Sequence, residues 1–185
     1  MRIEGSLQDV TEKVKATDRL HFLAEHDPLT GILNRRGIEK EFDEAVAMLG
    51  DGVSMSLAYL DLDRFKLIND LFGHLAGDEV LKQVCERVRN MLTEGQSMGR
   101  VGGDEFVIVF KGTPIDSAAW VCRGIVDRIG NLPYQIGDRA FQVKGSIGLM
   151  EISESIRVKD AISVADRACR EAKSGNHGNP VIYDR

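Results

Sequence analysis

The apolar pattern of this chain predicts an α+β fold. The expected core is β-α-β-β-α-β of the ferredoxin-like kind, a mainly antiparallel central sheet flanked by helices, with one extra hairpin. Three observations lead there. Short apolar runs such as Ser54 to Leu62 and Phe106-Val107-Ile108-Val109-Phe110 have strand length. Between them lie longer stretches whose apolar residues recur every three or four positions, as amphipathic helices require. Glycine-rich punctuation at Gly50-Asp51-Gly52, Gly102-Gly103 and Gly137-Asp138 separates the elements.

Leu7 to Glu25 is charge-rich, places Leu7, Val10, Val14 and Leu20 at helix-like intervals, and meets no breaker before Pro28. Residues 1–26 therefore read as a helical extension and residues 27–185 as the folded domain. The extension is either a plain solvated helix or the end of a signalling helix from an upstream sensor, its stripe being too short to define a coiled coil. Asn34 to Leu49 predicts a helix with Ile38, Phe42, Ala45, Val46 and Leu49 on one face, stopped by Gly50-Asp51-Gly52. The Val53–Leu62 strand follows, then a helix from Ala76 to Leu92 and the hairpin around Gly102-Gly103. Thr113-Pro114-Ile115-Asp116 reads as a helix start with a threonine cap and proline at the first helical position. Ala118, Val121, Cys122, Ile125 and Ile129 form that helix's apolar face, with Trp120 at the edge of the core. Tyr134 to Ile136 and Ala140 to Ile152 suggest another hairpin. A helix from about Val158 to Lys173 and a strand from Pro180 to Tyr183 complete the domain.

The 185 residues suit one domain, and 43% hydrophobic residues can bury a core. A net charge of −5 offers no general attraction to nucleic acid, so phosphate would have to be met locally. The three cysteines lack metal-ligand spacing and fall among apolar helix positions, which predicts buried thiols in a reducing compartment. No apolar run approaches the ~20 residues of a membrane span, and no signal peptide is evident. The expectation is a cytoplasmic segment, whose full-length protein could still be tethered elsewhere.

Two acidic motifs carry the chemistry. In Arg100-Val101-Gly102-Gly103-Asp104-Glu105-Phe106, paired glycines allow positive φ and remove Cβ atoms that would hold a ligand off the backbone. Alone, this also fits a hairpin with a polar tip. In Tyr59-Leu60-Asp61-Leu62-Asp63, residues at i and i+2 of a strand share a face, so Asp61 and Asp63 point the same way. Carboxylates held together repel, and oxygen donors with no nearby Cys-His set favour Mg²⁺ or Mn²⁺ over zinc.

Together these motifs resemble those of the GGDEF domains, the diguanylate cyclases that join two GTP molecules into cyclic di-GMP. Five segments occur in the family's order: Asp27 to Arg36, Asp61 to Asp78, Arg100 to Phe106, Ser146-Ile147-Gly148, and Ala165-Asp166-Arg167-Ala168 through Ala172-Lys173. The resemblance covers Asp27 to the C-terminus. The same fold serves polymerase palms and nucleotidyl cyclases, in which acidic groups on neighbouring central strands hold metal ions.

The resemblance implies a nucleotidyltransferase with two Mg²⁺ or Mn²⁺ ions per site. Asp61, Asp104 and the Leu62 carbonyl are the implied metal ligands, and Glu105 is a further ligand or a helper in deprotonating the attacking hydroxyl. Lys66 and the backbone near Arg64 and Phe65 would meet phosphates, and Lys173, Gly102 and Gly103 would also line the substrate site. Asn69 and Asp78 stand at guanine-reading positions, an amide and a carboxylate that match the base's edge. Leu29 and Leu81 would wall the base pocket and also suit plain core packing. His74 matches a substrate-lining position. Because one domain holds one GTP, the catalytic unit implied is a transient antiparallel homodimer.

Two positions depart from the family pattern. His177 stands where a phosphate-contacting arginine is expected; mostly neutral at pH 7, it offers no bidentate fork. Thr93 and Gln96 replace the arginine and aspartate of the product-inhibition site, so none is expected. The alternative reading is a weak or inactive module that binds GTP or cyclic di-GMP and regulates an attached phosphodiesterase domain.

Overall fold

The computed structural model of the chain describes residues 4–175 and 178–183. Helix α1 (Glu4–Glu25) leads into α2 (Arg35–Ala47), β1 (Met55–Asp63), α3 (Phe65–Phe72), α4 (His74–Arg89), β2 (Gln96–Arg100) and β3 (Glu105–Phe110). Helix α5 (Ile115–Gly130), the short strands β4 (Tyr134–Ile136) and β5 (Arg139–Phe141), β6 (Lys144–Ile152), α6 (Val158–Gly175) and β7 (Val181–Ile182) follow. The main sheet runs β2-β3-β1-β6-β7, antiparallel except for β7, which lies parallel to β6. Strands β1, β2, β3 and β6 with α4 and α5 form the expected ferredoxin-like core, and β4-β5 is the extra hairpin.

Strand β1 is buried on both faces, which is why its sequence is nearly continuous in apolar residues. Leu60, Leu62, Phe106 and Ile108 face α4 and α5, packing on Val80, Val84, Cys122 and Ile125. Leu57, Tyr59, Val107 and Val109 face α2 and α6, against Phe42, Ala161 and Ala165. Each fully buried Leu, Ile or Phe contributes about 1.5–3 kcal/mol, so these two layers hold the central strands firmly in register. Gly148 on β6 is obligatory for this packing. A Cβ there would strike the backbone of α6 at Ala165 and Cys169.

Three local expectations need correction. The Ala140–Ile152 run is two strands in different sheets, because the chain leaves the hairpin at Gln142-Val143 before β6. Thr113 does not cap α5: its hydroxyl donates to the Lys111 carbonyl, and Pro114 holds the cap position without a side-chain bond. The second helix begins at His74 rather than Ala76, preceded by the separate helix α3. Helix α1 carries the thin apolar stripe expected of it, with Val10, Val14 and Leu20 exposed. The cysteines behave as expected. All three are buried and free, and burial pushes the Cys85 and Cys169 thiols up to about 12.

Candidate active site

The site assembles where β1 ends. Alternation sends Leu60 and Leu62 into one core layer and Tyr59, Asp61 and Asp63 toward the other face. Across the sheet, Asp61 stands opposite Glu105 of β3 and Ser146 of β6, while Asp63 stands opposite Lys144. The Ser146 hydroxyl donates to Asp63 Oδ1 at 2.9 Å. The close seating of α6 over Gly148 brings its last turn above these carboxylates. Lys173 Nζ lies 2.8 Å from Asp61 Oδ2 and 4.0 Å from Asp63 Oδ1. Burial alone would lower the Lys173 pKa, but the bond to Asp61 and the charges of both aspartates outweigh it and raise the pKa.

Asp104 reaches the same place from the turn between β2 and β3. Burial, and then the charge of Asp61, push its carboxyl up to about 6. The turn is held from several sides. Val101 and Gly102 amides donate to the Glu105 carbonyl at 2.9 and 3.3 Å, and the Leu62 amide donates to the Asp104 carbonyl at 3.3 Å. Arg100 Nε donates to the Gly102 and Gly103 carbonyls, and its Nη1 lies 3.3 Å from Asp27 Oδ2. Arg35 Nη2 donates to the Val101 carbonyl at 2.8 Å. Asp27 also accepts from the Thr30 amide and hydroxyl. Sequence reasoning gave Asp27, Arg35 and Arg100 no role, although all three lie in the quoted motifs. Their contacts join residues up to 73 positions apart, which no local pattern reveals.

The glycine pair works differently from the expectation. Neither Gly102 nor Gly103 takes a positive φ. A Cβ on Gly102 would collide with the Glu105 carboxylate, whereas one on Gly103 would meet nothing within 4 Å. Gly102 makes room for a side chain, and Gly103 leaves open backbone that a ligand can approach.

Asp61 and Asp104 thus come together, but Glu105 turns toward Gly102 and the Tyr59 hydroxyl. Among the described residues no group of three or more acidic, histidine or cysteine side chains is arranged to hold a metal. The Asp61–Asp104 pair nevertheless fits a hard divalent cation. Its oxygen donors repel one another, and an ammonium already stands against Asp61.

The implied substrate residues fall on α3, α4 and the adjoining segments. Asn69 lies against α4 at Gly77, where a Cβ would strike its Oδ1, so the two helices approach closely with Asn69 and Asp78 between solvent and core. Leu81 is buried, and the half-buried Leu29 packs on the same cluster, so both also serve the core. Phe65 is buried, while Arg64, Lys66 and His74 are exposed. Arg64 takes φ 56° just ahead of α3. His177 lies outside the described residues.

A cleft of about 720 Å³ opens beside Lys173, with Asp63, Arg64 and Lys144 on its polar side and Leu67, Leu71, Phe72 and Phe141 on its apolar side. Lys144 was missed in the sequence, because its place opposite Asp63 depends on the long-range β1–β6 register.

The chain matches the family model for the diguanylate cyclase GGDEF domain over residues 24–179. It is 31% identical over 180 residues to a probable diguanylate cyclase, DgcE, of Escherichia coli strain K12, covering 96% of this chain and 16% of that protein. It is 34% identical over 176 residues to the cyclic di-GMP phosphodiesterase PdeR of the same strain, covering 95% of this chain and 26% of that protein. The crystal structure of the coiled coil and GGDEF domain of DgcB from Caulobacter crescentus in complex with c-di-GMP superposes with a TM-score of 0.85. That match has 24% identity, covers 98% of this chain and 100% of the other, and bears on the fold alone. The chain spans between 16% and 27% of the length of the first four curated relatives it matches.

Proposed function

The chain belongs to the GGDEF family of diguanylate cyclase domains, and from that premise we propose that it condenses two GTP molecules into cyclic di-GMP with release of two pyrophosphates. The observation that carries this reading is the facing pair Asp61 and Asp104, brought together from β1 and the β2–β3 turn, where burial and then the charge of Asp61 push Asp104 up to about 6. Two carboxylates that repel each other beside an open, cation-lined cleft suit phosphoryl chemistry.

In each half-reaction a 3′-oxygen forms a bond to an α-phosphorus and the bond to pyrophosphate breaks. The chain's part is to hold, orient and take up a proton. Asp61, Asp104, the Leu62 carbonyl and Glu105 would hold Mg²⁺ or Mn²⁺. When bound, two such ions would supply charge that neutralises the triphosphate and the departing pyrophosphate. The hydroxyl proton passes to Asp104 or Glu105. Lys66, Lys173 and the amides that open α3 meet the β- and γ-phosphates, where oriented donors and ammonium groups favour the developing charge. Asp78 accepts from the guanine edge and the Asn69 amide accepts or donates there, with Leu29 and Leu81 as walls and His74 at the rim.

One domain carries one such set, so the reaction uses an antiparallel homodimer that forms around substrate. We assign residues 1–26 to a helical linker and 27–185 to the catalytic domain. The greater length of the relatives supports an upstream sensor, and a GTP substrate favours a cytoplasmic location. No helix among the described residues is long and apolar enough to cross a membrane.

A second reading, a non-catalytic module that binds GTP or cyclic di-GMP beside a phosphodiesterase domain, draws on His177 and on the similarity to PdeR. Incubation with GTP and Mg²⁺ followed by chromatography separates the two: cyclic di-GMP and pyrophosphate support catalysis, and unchanged GTP supports the module.

A further inference from the structure

Tyr59 lies on the same face as Asp61 at the candidate active site and has no part in the chemistry proposed above. It is 5% exposed, in the core layer with Val107 and Cys169. On the sheet it stands directly opposite Val107, and the diagonal neighbour on the same face is Glu105. Diagonal pairs across antiparallel strands are within reach of an aromatic side chain and a long one. That register brings the Tyr59 hydroxyl and the Glu105 carboxylate toward each other at the strand end, where the carboxylate's charge acts on the phenol. From the other side Glu105 is packed over Gly102, where a Cβ would collide with it. Asp61 and Asp166 are the other charged neighbours of the phenol on the acidic side, and Arg170, bonded to Asp166, approaches it from α6.

We propose that Tyr59 is a positioning residue: its hydroxyl donates to Glu105 and, with Gly102 as the opposing shelf, fixes that carboxylate beside Asp61 and Asp104. The inference rests on the cyclase reading, in which Glu105 is a metal ligand or takes up the hydroxyl proton. A glutamate at the edge of a turn has several rotamers within reach. A buried phenol selects one before substrate arrives, so the ordering cost does not fall on the reaction. Tyr59 touches no reacting atom and acts only through Glu105. A phenol ordinarily loses its proton only at about pH 10, so the hydroxyl is a donor throughout the neutral range.

The test combines kinetics with spectroscopy on the full chain. Tyr59→Phe keeps the ring in the core and removes only the hydroxyl. Turnover should fall about tenfold, with the Michaelis constant for GTP within about twofold and the melting temperature little changed. In a Glu105→Asp background, whose shorter side chain no longer meets the phenol, Tyr59→Phe should alter turnover less than about twofold. An equal drop in both backgrounds overturns the proposal, because a packing defect would act in each. Independently, the chain has three tyrosines, so ¹³Cζ-labelled tyrosine gives a three-line spectrum. Tyr59→Phe identifies the Tyr59 line, and Glu105→Ala should shift it while leaving Tyr134 and Tyr183 in place. An unmoved line overturns the contact itself. A wild-type chain that makes no cyclic di-GMP overturns the cyclase reading and the positioning role together, while the spectrum still decides the contact.

Discussion

The Lys173 ammonium stands 2.8 Å from the Asp61 carboxylate, joining the last turn of α6 to the end of β1. The contact depends on Gly148, because α6 reaches this far over the sheet only where β6 has no side chain. It places a cation at the point where two aspartates converge and where a triphosphate has to be met.

Lys173→Met should therefore impair substrate handling more than folding. The side chain is about one-third exposed, which limits its net contribution to stability to about 1 kcal/mol. Loss of a charge-assisted contact to phosphate should raise the Michaelis constant for GTP on the order of tenfold. Steady-state kinetics beside thermal melting checks this. A large fall in melting temperature with unchanged kinetics would mean that Lys173 is only structural.

The Asp27–Arg100 pair should make the glycine turn sensitive to acid. Burial alone would raise the Asp27 pKa, but the Thr30 hydrogen bonds and the Arg100 charge hold it below the usual carboxylate value of 3.8. A depressed folded pKa contributes stability that is fully present above the unfolded value. That stability is lost as pH falls below about 4 through the folded pKa. Asp27→Asn should cost about 1–3 kcal/mol at pH 7. The gap between wild type and variant should narrow at pH 3. Urea titrations at the two pH values measure it; an equal gap at both removes the charge from the account.

Asn69 and Asp78 should make GTP strongly preferred over ATP. A site built for hydrogen bonds leaves buried partners unpaired when the base presents the wrong edge, at about 1–3 kcal/mol for each group. Calorimetric titration with the two nucleotides is the check, and comparable affinities would contradict the assignment.

Product inhibition away from the substrate site should be weak. The Gln96 side chain is already occupied, accepting from the Thr93 amide at 3.0 Å. Neither residue carries charge to grip the phosphates of cyclic di-GMP. Initial rates against added product should follow simple competition with GTP. Potent inhibition that saturating GTP does not relieve would reveal a separate product site.

Much of the fold and of the acidic site is legible in the sequence. Alternation along Tyr59-Leu60-Asp61-Leu62-Asp63 placed the acidic residues on one face, and two amphipathic helices with the short apolar runs implied the sheet. What was not legible depends on distant partners. Gly102 looked like a positive-φ turn residue, but its reason is the Glu105 side chain lying over it. Lys144 and Ser146 acquire meaning only through their register with Asp63 and Asp61. Helix α3 begins at a left-handed arginine with no side-chain cap, so the usual start signals are absent. The break at Gln142-Val143 falls inside a continuous strand-like run and is imposed by the hairpin's separate packing.

The most direct test is Asp104→Asn, read for product and for stability. Asp104's raised pKa means that its folded state favours the protonated form. Any stability this provides is fully present below the usual 3.8 and is lost as pH rises through about 6. At pH 7 without metal the charge opposes folding by at most about 3 kcal/mol, and by about 1–2 kcal/mol after solvent screening. The neutral amide should therefore leave the protein equally or more resistant to heat, while cyclic di-GMP formation from GTP and Mg²⁺ collapses on chromatographic analysis. Near-wild-type turnover by Asp104→Asn would contradict the account at its centre.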